Sequence, residues 1–405
     1  MALEPHDIRR QFPSLQTGAV FFDNPGGTQV PQRVIDRIST YLTTSNANRD
    51  GAFSTSRASD TVIEAARGAT AAFLHAASPE EIVFGPNMTT LTLGLSRALS
   101  RTFLPGDEII VTHLDHDANI SPWLHIAEDR GCLVRWLDFD VEDCTLRLDQ
   151  LDRLLSPRTR LVAVGYASNA VGTINPVADI VRRAHQAGAL CFVDAVQFAP
   201  HGVIDVRALD CDFLAVSAYK FFGPHLGALY GKLEHLTRLR PYKVRPASSS
   251  PPGSFETGTG IHENIAGTLG ALEYLASLGE GTRPDRAALA EGMHVIQTSE
   301  AILTRALLDS LERVPGVHIW GLTDRARLRE RVPTVSFTME GIPPRVVAEH
   351  LAAEGIHAWD GNFYALAVTE RLGLEPLGGL IRVGLVHYNL PEEIDRLERA
   401  LRSVR

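Results

Sequence analysis

The run Ser217-Ala218-Tyr219-Lys220-Phe221-Phe222-Gly223-Pro224, read with the upstream run Val193-Asp194-Ala195-Val196-Gln197, decides the fold. Each follows a short apolar stretch, Phe213-Leu214-Ala215-Val216 in one case and Leu190-Cys191-Phe192-Val193 in the other. Short apolar runs rich in aromatic and β-branched side chains, bounded by polar residues, read as buried strands. A carboxylate, Asp194, thus falls at the end of one core strand, and an amine, Lys220, just past the end of a nearby one. An acid and an amine at the carboxyl edge of an α/β sheet are what a pyridoxal phosphate enzyme needs. The lysine can form a Schiff base with the cofactor aldehyde, and the acid can keep the pyridine nitrogen protonated so that the ring takes up electrons. The plain alternative is a solvated loop lysine and a strand-end cap, and the flanking segments decide between the two.

Working outward, Asn87-Met88-Thr89-Thr90 follows the strand-like Glu81-Ile82-Val83-Phe84-Gly85 and opens an apolar stretch, Leu91 to Leu99. Asn and Thr at a helix start leave N–H groups and hydroxyls free for an anion such as a phosphate, although an ordinary N-cap uses the same residues. Another strand, Ile109-Ile110-Val111, leads into His113-Leu114-Asp115-His116-Asp117-Ala118-Asn119. An imidazole there suits stacking on a cofactor ring and proton transfer. Two His and two Asp in so short a run also admit a metal site, but no further cluster with ligand spacing accompanies them. Leu161-Val162-Ala163-Val164 ends at Tyr166-Ala167-Ser168-Asn169-Ala170-Val171-Gly172-Thr173, where Asn169 is either a ligand of ring or substrate, or a turn residue.

Together these pieces resemble the fold type I pyridoxal phosphate enzymes of the class V aminotransferase group, most closely the cysteine desulfurase-like branch. The resemblance runs from about Phe21 to about Asn389 and rests on ordered segments. They are Phe22–Thr28, Asn87–Thr90, Asp115–Asn119 with Pro122-Trp123, Ser168–Thr173, Asp194–Gln197, Ser217–Lys220, Phe255-Glu256-Thr257-Gly258-Thr259 and Arg382. It implies Lys220 as the Schiff-base lysine, Asp194 as the pyridinium partner, Gln197 on the phenolic oxygen and His116 on the ring. It implies a phosphate held by Thr89, Thr90 and Ser217, with Thr259 reaching in from a second subunit of a homodimer. Asn169 and Arg382 would bind the substrate carboxylate. Tyr219 stands where the desulfurases carry a phosphate-binding His, and its hydroxyl can still donate.

A second departure bears on the reaction. The desulfurases keep a nucleophilic Cys on a loop just before the strand of the carboxylate-binding Arg. Here the corresponding run is Gly361-Asn362-Phe363-Tyr364-Ala365, and the cysteines are Cys132, Cys144, Cys191 and Cys211. Persulfide formation needs a thiolate, which a phenol does not replace. The expected reaction is therefore β-elimination from an amino acid or cysteine S-conjugate (a C–S lyase type). The reaction would run through an external aldimine, with Lys220 as the Schiff-base lysine that is freed to shuttle the proton. Transamination, epimerisation and decarboxylation-linked oxidative deamination are alternatives on the same scaffold, and an inactive cofactor-binding paralogue that binds partners is one of another class. Trp359, Asn362 and Tyr364 are expected to line the substrate pocket, and Asp360 with Asn362 to favour a polar substrate tail.

The chain has 405 residues, 44% apolar and 21% charged, with net charge −9, the composition of an ordinary soluble enzyme without a nucleic-acid surface. Four cysteines without a framework pattern suit a reducing compartment, and no run approaches a membrane span, so a cytoplasmic location is expected. Alternating strand-like and helix-like segments from about Ile82 to Leu229 predict a largely parallel sheet covered on both faces. The expected organisation is an N-terminal segment 1–20 packing on the small domain, a large cofactor-binding domain 21–280 and a smaller α+β domain 281–405. Leu236 to Ser254, rich in Pro and Ser, reads as an irregular loop. A long helix near Asp285–Arg313 is followed by strands near Val317–Trp320, Thr334–Thr338 and Ile381–Val386, with helices near Pro344–Ala353 and Pro391–Ser403.

Overall fold

The apolar runs become the strands of a mixed α/β fold. A computed structural model describes residues 4–404. Its strands are β1 (Val20–Phe21), β2 (Ile82–Gly85), β3 (Glu108–Thr112), β4 (Leu133–Leu137), β5 (Thr159–Gly165), β6 (Leu190–Asp194) and β7 (Phe213–Ser217). They continue with β8 (Gly227–Gly231), β9 (Val317–Trp320), β10 (Thr334–Met339), β11 (Ile356–His357), β12 (Trp359–Gly361) and β13 (Leu380–Gly384). Seven of them form one sheet in the order β2-β8-β7-β6-β5-β3-β4, in which β8 alone runs against its neighbours.

The central strands read as unbroken apolar runs because both sheet faces are covered; every residue of β3 and β7 is buried. The covering helices are amphipathic. Val177–Gln186 buries Val177, Ile180, Val181 and Ala184, one face at helical spacing. Parallel register brings strand ends level, so Gly165 of β5 lies beside Asp194 of β6, and Asp194 beside Ala215 of β7. Loops leaving these ends converge on one edge, where an open parallel sheet places its ligand.

A second, antiparallel sheet has the order β12-β13-β10-β9. Val335, Phe337, Ile381 and Val383 pack there against Leu307 and Leu311 of the helix Arg286–Glu312 and Leu397 of the helix Pro391–Ser403. The N-terminal stretch joins this half: Arg9 pairs with Glu393 at 2.9 Å, and β1 pairs in parallel with β11.

Two local readings change. Trp359–Gly361 is an edge strand on β13, too short to show an alternation signal and ended by Gly361 at φ +111°. The segment expected to be irregular from Leu236 onward begins inside the helix Leu233–Arg238. No helix among the described residues is long and apolar enough to cross a membrane.

Candidate active site

Thr89, His116, Asn169, Asp194, Gln197, Ser217, Tyr219 and Lys220 line one cleft at the carboxyl edge of the large sheet. Asp194 ends β6 and is buried, with the Val196 N–H donating to its Oδ1 at 2.9 Å. Burial pushes its carboxyl up to about 6, against the pull of that hydrogen bond and of Lys220. Lys220 closes the short turn after β7 and donates from Nζ to the Pro25 carbonyl. Burial, with the Arg382 charge adding to it, brings its pKa down to about 7, so a large fraction is the neutral amine at neutral pH. An unpaired buried acid facing a nearly neutral amine is a poised arrangement rather than a structural ion pair.

His116 lies on the loop after β3 and lines the cleft beside Asp115. The Ala118 N–H donates to its Nδ1 at 3.0 Å, which leaves the proton of the neutral ring on Nε2. Burial and the positive charges of Lys220 and Arg382 hold its pKa near 4, so it is neutral at working pH. Beneath it, Asp115 accepts from Thr112 Oγ1 at 2.8 Å and presses on Gly165, the register partner of Asp194. Burial raises Asp115 to about 8 and Asp194 adds to that, so Asp115 keeps its proton and leaves the charge on Asp194. Nothing in the sequence singled out Asp115 or Pro25 individually, although both lie inside segments that carry the resemblance.

The remaining candidates of that run go elsewhere. His113 stacks on Trp136, its ring centroid 4.7 Å away, and Asp117 accepts from Ser121. The side chains of 113–117 do not converge as metal ligands.

Ser217 Oγ accepts from the Met88 N–H at 3.2 Å, and Asn87 caps the helix Met88–Ser100 through the Thr90 N–H at 2.8 Å. Thr89 and Ser217 thus sit where a helix start meets a strand end, a fit for a phosphate. Thr90 and Thr259 lie together in a separate, larger groove with Arg97, Tyr242 and Val244. Tyr219 stacks on His225 at 5.2 Å, with its ring against Gly27. Gln197 donates from Nε2 to Thr334 Oγ1, while its Oε1 is buried without a partner.

Arg382, on β13, is 4% exposed; its Nη1 donates to the Asn169 carbonyl at 2.8 Å and its Nε is buried without a partner. The Phe363 ring caps the guanidinium at 4.1 Å. One edge of the guanidinium is thus left without a partner, a geometry suited to a carboxylate. Asn169 lines the cleft; its Nδ2 donates to the Phe363 carbonyl at 2.9 Å, and its Oδ1 is left unpartnered.

Residues 361–364 form the outer wall. Phe363 and Tyr364 both adopt left-handed backbone, at φ +56° and +58°. They are held by Asn169, by the Asp117 N–H on the Tyr364 carbonyl at 2.6 Å, and by Asn362 Oδ1 on the Tyr364 N–H at 3.1 Å. The Tyr364 ring stacks over His116 with centroids 5.6 Å apart. Trp359 is paired beside Arg382, and its indole lies against Gly26. The polar side chains here are engaged: Asp360 pairs with Arg345 at 3.2 Å and Asn362 donates to Glu375 at 3.0 Å. They therefore no longer support a polar substrate tail; the uncommitted groups at the mouth are aromatic.

The sequence matches the description Aminotransferase class-V over residues 20–397. A cysteine desulfurase of Synechococcus elongatus is 34% identical over 98% of this chain, which spans 63% of that protein's length. The aminotransferase-like protein FGM3 of Gibberella zeae is 36% identical over 98% of each chain. The apo structure of a cysteine desulfurase from Thermococcus onnurineus superposes with a TM-score of 0.90 at 26% identity, covering 99% of this chain and 98% of that one.

Proposed function

The chain belongs to the Aminotransferase class-V family of pyridoxal phosphate enzymes, and from that premise we propose that it eliminates the β-substituent of a cysteine S-conjugate or related amino acid. The overall change is R–S–CH2–CH(NH3+)–COO− plus water to a thiol, pyruvate and ammonium. The observation that carries this reading is the wall loop, where Tyr364 stands in place of a thiol. The four cysteines offer no substitute. Burial raises Cys144 to about 12 and pushes Cys191 and Cys211 far up. Cys132 sits just before β4, at the opposite end of the sheet, and burial raises it too.

The buried acid, the amine of lowered pKa and two side-chain amides with unfilled hydrogen-bonding capacity in one cleft fit pyridoxal phosphate. Asp194 would pair with its ring nitrogen, Lys220 with its aldehyde, Gln197 with its phenolic oxygen, and Thr89 and Ser217 with its phosphate. Once bound, it supplies a protonated ring that takes up the electron pair left at a substrate carbon. The protein's residues do the rest. Arg382 offers its free Nε edge to the substrate carboxylate, and the Phe363 ring fixes that edge in one plane. Lys220 Nζ, neutral near pH 7, takes the Cα proton; His116 Nε2–H faces the same space as a neutral donor. Asn169, which holds the Phe363 carbonyl with one Nδ2–H, would join Arg382 on the substrate carboxylate with the other.

Assembly as a homodimer is part of the proposal. Tyr242 and Val244 are 63% and 64% exposed along the groove of Thr90 and Thr259, an apolar surface that a second copy would cover. A solution mass of one chain would overturn it.

Incubation with a series of S-substituted cysteines tests the reaction. Pyruvate and free thiol in equal amounts are expected. A keto acid that retains sulfur would mean transamination, a racemised substrate epimerisation, and an inert, spectrally silent protein a binding paralogue.

A further inference from the structure

Gln197 lies in the turn after β6, 4% exposed, and its side-chain partner is not on its own half of the molecule. Its Nε2 donates at 2.9 Å to Oγ1 of Thr334, the first residue of β10 in the smaller sheet. Thr334 is fully buried, and the Gln197 Oε1 has no partner. A hydroxyl both donates and accepts, and an amide can turn about its last bond. The pair can therefore hydrogen-bond in two arrangements. In one, Nε2 donates to Thr334 and Oε1 faces the cleft; in the other, the Thr334 hydroxyl donates to Oε1 and Nε2 faces the cleft. A phenolic oxygen without its proton takes donors alone, so it selects the second.

We propose that Thr334 is a positioning residue that fixes the Gln197 amide as a donor toward the cofactor's phenolic oxygen. The proposal rests on the reading of Gln197 as a ligand of that oxygen. Thr334 is itself held firmly. Its carbonyl accepts from Arg331 Nη2 at 2.6 Å and blocks any side chain at Gly172, which sits at φ +82° on the loop after Asn169. Ser336, two residues on, donates to the Ala170 carbonyl of the same loop. β10 also pairs with β13, Thr334 opposite Gly384 and Ser336 opposite Arg382. The strand that orients Gln197 is thus hydrogen-bonded to the strand that presents Arg382, so the electronic state of the ring and the seat of the carboxylate share one support.

The visible absorption of pyridoxal phosphate bound to the substrate-free holoenzyme reads this directly, titrated against pH in wild type, Thr334→Val, Thr334→Ser, Thr334→Ala and Gln197→Leu. A donor on the phenolic oxygen favours its deprotonated form, so losing it raises the pH midpoint. Gln197→Leu and Thr334→Val are expected to raise the midpoint by about one unit, the size of a lost hydrogen bond to a charged atom. Thr334→Ser is expected to restore the wild-type value, because the hydroxyl rather than the methyl acts. Thr334→Ala, which opens space instead of filling it, is expected to shift as Val does. A wild-type midpoint in Thr334→Val and Thr334→Ala beside a shifted Gln197→Leu would overturn the role of Thr334 alone. Unshifted midpoints in all of them would overturn the ligand role of Gln197 as well.

Discussion

Asp194, Gln197, Ser217 and Lys220 on the floor of the cleft differ from residues 361–364 on its wall in backbone and in burial alike. Asp194 and Ser217 end strands whose φ and ψ any residue adopts, and Lys220 follows in a short turn. Phe363 and Tyr364 occupy left-handed backbone, which costs a non-glycine residue on the order of 1–3 kcal/mol and persists where surrounding contacts over-determine it. Tyr364 is 74% exposed, whereas Asp194 and Gln197 are buried. The floor obtains its chemistry from regular structure: a sheet edge delivers an acid and an amine, and burial tunes both toward neutrality. The wall obtains its shape from specific contacts to Asn169, Asp117 and Arg382. In the proposed function, activation of the substrate belongs to the floor, and the fate of the activated substrate to the wall.

The sharpest way to break that division is at Lys220. Lys220→Ala is expected to lower turnover by at least about 10³-fold, since the proposed function gives one group both the cofactor aldehyde and the proton transfer. Residual turnover within tenfold of wild type would place the proton transfer elsewhere. Arg382 lies between floor and wall, and Arg382→Lys replaces a planar two-donor edge with a point charge. The expected loss, about 1.5–3 kcal/mol, appears as a roughly 10- to 150-fold rise in KM with kcat less affected. Unchanged kinetics would assign the carboxylate to another group.

The electrostatics of the floor predict a pH dependence. In the proposed function Lys220 reacts with the cofactor aldehyde as the neutral amine, and its pKa is lowered to about 7. Uptake of pyridoxal phosphate by cofactor-stripped enzyme is expected to rise roughly tenfold per unit at acid pH, bend near 7 and level off above it. A rate still climbing at pH 9 would mean that burial does not depress this amine. The smallest effect is expected at the wall. Tyr364 is largely exposed and meets His116 through its ring, so Tyr364→Phe is expected to change kcat less than about threefold. A loss of about 10² would instead make the phenol a general acid for the leaving group.

The same contrast explains what the sequence revealed. Strand ends carry a signal of their own, an apolar run followed by a polar residue, and Asp194, Lys220, Asn169 and His116 were legible because each follows one. The long helix and the strands of the smaller sheet showed themselves by period. The Asn362–Tyr364 loop has no such signal. Neither the left-handed pair nor the side-chain bonds of Asp360 and Asn362 can be read from residue types, because their partners Arg345 and Glu375 become neighbours through tertiary folding. Thr334 escaped notice for the same reason, as an ordinary β-branched residue in a strand whose hydroxyl matters through a contact 137 positions away in sequence.

The most direct measurement is the carbon product formed from L-cysteine, with the mass of the protein recorded alongside. Elimination without a thiol acceptor predicts pyruvate, ammonia and free sulfide in equal amounts, and a protein of unchanged mass. Alanine in stoichiometric amount, with a protein that has gained one sulfur on a cysteine, would contradict it and place persulfide chemistry on one of the four upstream thiols.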